Sequence, residues 1–138
     1  MNALPSPSLL GAAALALFAV LAPGTSQAQA GAACERAALD AGAHNACAVL
    51  DFQAADTANT ILYGDVMRAL SAHERPALRR DQSAWARQRI TACKSTHARE
   101  EAQADWPARY HQCLRLATEA RRAALMHWLQ TGEAPAQQ

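Results

Sequence analysis

Apolar residues recur at three- and four-residue steps along most of the chain after residue 46. That step is the spacing of one face of an α-helix. It predicts a first helix over residues 47–70, with an inner face formed by Phe52, Ala55, Leu62, Tyr63, Val66, Met67 and Leu70. Residues 34–39 are predicted to form a short helix before it, closed by a turn around Gly42.

The pattern predicts two further helices. Ser71–Glu74 has the form of a capping box, so the second helix begins there or a few residues later, near Pro76. It continues to about residue 102 with Leu78, Trp85 and Ala92 on its inner face. Asp105 is the predicted cap of a third helix, which runs to about residue 130. Its predicted inner face consists of Tyr110, Leu114, Ala117, Arg121, Leu125, Trp128 and Leu129.

Composition supports an all-α fold, because alanine is abundant and β-branched residues are few. We therefore expect a small antiparallel bundle of three main helices plus a short N-terminal segment, stapled by two disulfides. The chain after residue 30 is long enough for one domain with one core, so we assign residues 31–138 to a single helical domain.

The first thirty residues have the features of a cleaved signal peptide. They contain no charged side chain, and the apolar run Leu9–Ala22 is followed by the small-x-small pattern Ala28-Gln29-Ala30. The run is too short to span a membrane, which takes about 20 residues. We predict removal of residues 1–30 and a periplasmic or secreted protein without stable membrane insertion. The alternatives are a retained anchor and a lipoprotein acylated at Cys34, although Gly31 stands where acylation requires a large aliphatic residue.

The remaining chain carries 13 basic and 12 acidic residues, a balance that gives no net field toward nucleic acid. Arginines at 79, 80, 87, 121 and 122 lie on the second and third helices, and we expect Glu74, Asp81 and Glu119 to interleave with them. Such mixing indicates a solvated surface and not a nucleic-acid interface.

Four cysteines in a short exported chain predict two disulfides. Assuming turns at about residues 73 and 105, Cys47 and Cys113 both lie opposite about residues 97–99 of the second helix. This register favours Cys34–Cys93 with Cys47–Cys113. Cys34–Cys113 with Cys47–Cys93 remains open, because an error of one helical turn exchanges the two answers. The local pairing Cys34–Cys47 with Cys93–Cys113 is the least favoured of the three.

Polar side chains share the inner face of the second helix, where Gln82, Trp85, Arg89 and Cys93 form one stripe. The same register places Asp56 beside Arg89. We therefore expect an internal ion pair there, with Arg121 nearby and Gln82 and Thr118 supplying further hydrogen bonds. The alternative is that Arg89 lies at the edge of the stripe and extends its guanidinium into water.

These residues resemble the LprI-type lysozyme inhibitor family of small exported bacterial helical proteins. The central motif is Q-x2-W-x3-R-x3-C, from Gln82 to Cys93, and N-x-C-A at Asn45–Ala48 precedes it. The other matching blocks are A-D-x6-Y (Ala55, Asp56, Tyr63) and C-L-x3-T-x2-R-x3-L (Cys113, Leu114, Thr118, Arg121, Leu125). The resemblance covers roughly residues 34–129.

The chain departs from the family pattern at two places. Asn59-Thr60 stands where the family usually has Leu-Asn, and Ile90 stands where an Asp often follows the Arg. The resemblance implies structural roles for Asp56, Tyr63, Gln82, Trp85, Arg89, Thr118 and Arg121. It also implies inhibition of lysozyme by covering the substrate cleft.

Other kinds of site find little support in the sequence. Histidines lie near three of the four cysteines, but no C-x2-C pair exists and export argues against thiolate ligands. No nucleophile elbow, zinc-protease motif or phosphate loop is present in the sequence. We expect no metal, no cofactor and no enzymatic activity.

We therefore expect an exported protein that acts by binding another protein, and the resemblance implies that this partner is lysozyme. Animal-type lysozymes are strongly basic, so the acidic cluster Glu100, Glu101 and Asp105 is the predicted contact surface. The competing hypothesis is an envelope structural or stress protein that binds another endogenous protein. A third is a small-molecule binder with a pocket between the helices.

Overall fold

Three α-helices make up most of the computed structural model, which describes residues 33–136. They are α1 (Ala41–Ala69), α2 (Arg75–Thr96) and α3 (Trp106–Thr131), with a short 3₁₀ turn, Ala98–Glu100, between α2 and α3. The prediction of an all-α bundle of three main helices with two disulfides is confirmed. The predicted signal segment, residues 1–30, lies outside the described residues.

Helices α1 and α3 are the most closely packed pair. They run in the same direction, because Asn45 in the first turns of α1 contacts Ala108 at the start of α3, while Val66 and Leu125 share a cluster near their far ends. Helix α2 runs antiparallel to both. The bundle therefore has two neighbouring parallel helices, α1 and α3. The antiparallel helix α2 leads from the end of α1 back to the start of α3.

The first helix begins at Ala41, six residues before the predicted start. The Asp40 carboxylate accepts a hydrogen bond from the Ala43 amide at 2.9 Å and caps the helix. The predicted short helix at 34–39 is wrong, since this segment is irregular apart from a turn at residues 36–37. Gly42, predicted in a turn, lies inside the first turn of α1.

The second helix also differs from the prediction at its ends. It begins at Arg75, after the turn Ser71–Glu74, in which the Glu74 carboxylate accepts the Ser71 amide at 2.8 Å as in a capping box. It ends at Thr96 instead of about residue 102. Helix α3 ends at Thr131, and the next residue, Gly132, has a φ of 73°, the left-handed conformation typical of glycine after a helix.

The apolar core lies at the end of the bundle where α1 connects to α2. It consists of Val66, Leu70, Leu78, Leu125 and Trp128, with Leu62, Tyr63, Met67 and Ala77 packed against it. Most of the predicted inner positions are inside, but Ala92 is exposed and Leu129 is 39% exposed. The middle of the bundle is polar, and the other end is held by a disulfide.

The favoured disulfide pairing was wrong. Cys34 pairs with Cys47 and Cys93 with Cys113, at Cα–Cα distances of 4.5 and 5.7 Å. Because α2 ends about one and a half turns early, the register between α2 and α3 shifts and brings Cys93 opposite Cys113. Because α1 begins early, Cys47 lies inside the helix, where the leading segment folds back onto it. Two disulfides fit an extracytoplasmic location.

Candidate functional site

Arg89 joins the three helices in the middle of the bundle. One of its terminal nitrogens, Nη1, donates to Asp56 Oδ1 on α1 at 2.7 Å and to Thr118 Oγ1 on α3 at 2.5 Å. Its side chain is only 9% exposed. The predicted contact between Asp56 and Arg89 is therefore present, and the guanidinium does not extend into water.

Aromatic rings support this guanidinium. Its central carbon lies 4.6 Å from the centroid of the Trp85 ring and 5.2 Å from that of Phe52. Arg121 lies 5.4 Å from the same Trp85 ring. Cation–π contacts of this kind offset part of the desolvation of a buried arginine. Trp85 of α2 thus contacts both Arg89 of its own helix and Arg121 of α3.

Arg121 is held by a second set of partners, which sequence reasoning identified only in part. Its Nε donates to Gln82 at 3.0 Å, as expected, and its Nη2 donates to Asp81. Asp81 also accepts the indole N–H of Trp128 at 2.8 Å. We expected Asp81 on the solvated surface, so this is a correction. The sequence does carry a signal for this position: a second buried arginine needs a second carboxylate beside it.

Of the predicted motif residues, the structure brings Asp56, Gln82, Trp85, Arg89, Thr118 and Arg121 into one polar layer. Tyr63 lies apart, against the apolar core. Among the described residues, the Nε of Arg89 and the Oδ1 of Asn59 are buried without a hydrogen-bond partner. The hydrogen bonds within the layer join α2 to α1 and to α3.

The predicted acidic cluster lies in the connection between α2 and α3, residues 97–105. Asp105 accepts two hydrogen bonds from Arg109, and Glu100 accepts one from the same guanidinium at 3.3 Å. The pKa of Arg109 is raised, chiefly by its hydrogen bond to Asp105 and then by the two negative charges. Glu101 is exposed and joins none of the ion pairs found in residues 33–136. The charge of the cluster is therefore partly neutralised, and Glu101 is the member whose carboxylate is not paired.

Asn45 fixes this connection from the side of α1. Its Nδ2 donates to the carbonyl of Ala104 at 2.9 Å, and its Oδ1 accepts the amide of Ala108 at 2.9 Å. Ala108 is the third residue of α3, the position whose amide an N-cap side chain normally satisfies. Asp105, the predicted cap, makes no such bond because its carboxylate binds Arg109. An asparagine from another helix thus caps α3.

Two other contacts hold the same connection. Trp106 donates its indole N–H to the carbonyl of His97 at 3.0 Å, and its ring stacks on Tyr110 with the centroids 5.2 Å apart. The Cys93–Cys113 disulfide closes the connection at its base. We refer to residues 97–105, held in this way, as the clamped loop.

A groove lies on the surface between α1 and α3. Ala54, Ala55 and Ala58 line it, together with the ion pair of Arg115 and Glu119. At one side Asp51 binds Arg36, and the pKa of Asp51 is lowered mainly by that hydrogen bond. The groove is open. Arg115 and Glu119 pair with each other, whereas Arg122, which also lines the groove, joins none of the ion pairs found within residues 33–136. Asn59, whose Oδ1 is buried without a hydrogen-bond partner, lines it as well.

Residues 33–136 contain no group of three His, Cys, Asp or Glu side chains placed to hold a metal ion. No helix in the same range is long and apolar enough to cross a membrane.

Comparison with known proteins gives one clear result. Residues 34–125 match the family described as lysozyme inhibitor LprI. No curated protein and no solved structure matches the chain. The matched range spans the leading disulfide, α1, α2, the clamped loop and most of α3. Since it covers well over half of the sequence, the chain belongs to the lysozyme inhibitor LprI family.

Proposed function

We propose that this protein is an exported binding protein that inhibits lysozyme by placing the clamped loop over the substrate cleft of the enzyme. The observation that carries the proposal is the family match over residues 34–125, because that family is one of inhibitors and not of enzymes. The two disulfides agree with the extracytoplasmic compartment in which lysozyme acts.

The rigidity of the clamped loop supports the choice of this surface. A disulfide, a stacked tryptophan and the side chain of Asn45 fix its backbone before any partner arrives. A loop that is already ordered loses little conformational entropy on binding, so more of the contact free energy appears as affinity. Its tip, residues 101–104, is exposed and lies at the end of the bundle, where it can enter a concave surface.

Charge gives a second, smaller argument. Glu101 presents a free carboxylate, and Glu100 and Asp105 lie near it. Acidic groups at this position complement a basic lysozyme and raise the association rate. Arg109 neutralises part of this cluster, so we expect the loop backbone and its shape to supply most of the affinity and Glu101 to supply selectivity for basic partners.

The test is binding of the purified protein to an immobilised animal-type lysozyme, with two single variants. Glu101→Lys reverses a charge on the clamped loop, while Glu133→Lys makes the same change beyond the C-terminus of α3, at the other end of the bundle. We expect dissociation constants in the micromolar range or below for wild type and Glu133→Lys, and at least about ten-fold weaker binding for Glu101→Lys.

Two outcomes would contradict the proposal in different ways. Failure of the wild type to bind lysozyme removes the proposed function, and selective capture of an endogenous envelope protein would then favour a structural or stress role. Lysozyme binding that is unaffected by Glu101→Lys, or weakened equally by Glu133→Lys, retains the inhibitor but places the contact elsewhere on the bundle.

A further inference from the structure

The outer face of α2 is basic and carries no carboxylate. The helix contains six basic residues and a single acidic one, Asp81. Asp81 points inward, where it binds Arg121 and Trp128. The sequence suggested that acidic residues interleave with the arginines here and neutralise them, and for α2 this expectation is wrong.

The other two acidic residues expected to interleave are also engaged elsewhere. Glu74 accepts hydrogen bonds from the amide and the hydroxyl of Ser71, and these bonds lower its pKa. Glu119 lies on α3 and pairs with Arg115. The outer cations of α2 therefore join none of the ion pairs formed within residues 33–136; they are Arg79, Arg80, Arg87 and Lys94.

These cations share one side of the helix. At 100° per residue, Arg79, Arg80, Arg87 and Lys94 all fall within an arc of about 100°. They span sixteen residues, and the fifteen steps between the first and the last correspond to about 22 Å of helix. Ile90, which is 48% exposed, and Ser83 lie within the same arc. Together these six residues form what we call the basic face: Arg79, Arg80, Ser83, Arg87, Ile90 and Lys94.

We propose that the basic face docks on the surface of a bilayer that contains anionic phospholipids. The hollow between Arg79, Arg80 and Arg87 is shallow and has no enclosed pocket for a single anion. A row of cations along a straight helix instead matches a plane of many phosphate groups, which all of them contact at once. Guanidinium groups bind phosphate with two parallel hydrogen bonds, and three of the four cations are arginines.

The position of α2 and the composition of the basic face favour a bilayer over a soluble polyanion. Helix α2 stands beside the close α1–α3 pair, so its outer side is an outer side of the bundle. Ile90 lies among the cations and can enter the interfacial region of a bilayer. A hydrated polyanion offers no apolar region in which this side chain could be buried. The attachment is peripheral, because it uses only the outer surface of α2. Each cation at such a surface strengthens binding by about five-fold.

The experiment measures sedimentation of the exported protein with vesicles of phosphatidylcholine alone or with added phosphatidylglycerol. Intact mass is determined first, because the apolar segment Leu9–Ala22 would bind bilayers on its own. The test variant replaces Arg79, Arg80 and Arg87 by glutamine. The control variant replaces three exposed arginines outside the basic face by glutamine, with the same change in net charge: Arg36, Arg68 and Arg122.

We expect wild type to bind the anionic vesicles and to dissociate at high salt. The test variant should lose about 100-fold in partition coefficient, and the control less than about five-fold. Unchanged thermal unfolding of both variants shows that the loss does not come from the fold. Equal losses in the two variants, equal binding to both vesicle types, or binding to soluble dextran sulfate without binding to vesicles would each overturn the proposal. Lysozyme binding is measured separately and does not bear on this result.

Discussion

Replacement of Asp81 by alanine removes the carboxylate that two buried side chains share. Arg121, whose side chain is 6% exposed, and the indole N–H of Trp128 both donate to this one group. In the Asp81→Ala variant, the buried guanidinium keeps only its bond to Gln82, and the indole has no acceptor. The perturbation therefore leaves a charge and a polar group without their partner inside the bundle.

The expected cost follows from these contacts. Removal of one partner of a buried ion pair costs about 3–5 kcal/mol, and an unsatisfied buried donor costs about 1–3 kcal/mol. Asp81 is 29% exposed, so water can reach part of the vacated space and lower both penalties. We expect a loss of about 3 kcal/mol in the free energy of unfolding. In an Arg121→Met background the same change should cost about 1 kcal/mol, because only the indole bond remains to be lost.

Urea unfolding of the four proteins of this double-mutant cycle, followed by circular dichroism, measures both values. The matched control is Asp65→Ala. It removes an exposed carboxylate that pairs with Arg68, and both of these residues lie on α1. It should change the free energy of unfolding by less than about 0.5 kcal/mol. An Asp81→Ala loss no larger than that of the control, or additive losses in the cycle, would refute the assignment of Asp81 to the interior.

Three further predictions concern the ends of the helices. Asn45→Ala should cost about 1–2 kcal/mol in urea unfolding and increase amide hydrogen exchange at the start of α3, because that helix loses its cap. Replacement of both Cys93 and Cys113 by serine should cost about 3 kcal/mol on the chain-entropy account, and non-reducing peptide mapping of the wild type should show these two residues linked. The pKa of Glu74 is lowered in the folded state by Ser71, so its stabilising effect is present above the ordinary carboxyl pKa and lost as pH falls through the lowered value. Titration by nuclear magnetic resonance should show that pKa rising toward the ordinary range in Ser71→Ala.

The register between α1 and α2 was predictable because a short turn joins them. The capping-box pattern at residues 71–74 fixes that turn, and the observed contact between Asp56 and Arg89 lies within one residue of the predicted level. Periodicity likewise identified the buried positions Val66, Leu78 and Leu125, since apolar side chains at helical spacing have few other places to pack.

The connection between α2 and α3 was not predictable from local pattern. Residues 97–105 carry no glycine or proline that would end a helix, and α2 ends at Thr96 because tertiary contacts compete with it. Trp106 donates a hydrogen bond to the carbonyl of His97, and Asn45 donates one to the carbonyl of Ala104. The disulfide register depends on this early end, so the favoured pairing failed with it. The inward position of Asp81 was missed for a related reason. The position of a charged residue on a helix does not by itself indicate burial, and its partner Arg121 lies on another helix.

The most direct test of the account is a titration of lysozyme activity with the purified protein. The initial rate of peptidoglycan hydrolysis by an animal-type lysozyme is measured against increasing amounts of wild type, Glu101→Lys and Glu133→Lys. We predict that wild type and Glu133→Lys abolish hydrolysis, and that they do so over the same range of concentrations in which they bind the enzyme. Glu101→Lys should require at least about ten-fold more protein for the same inhibition. A rate of hydrolysis that stays unchanged in saturating wild-type protein would contradict the proposed function.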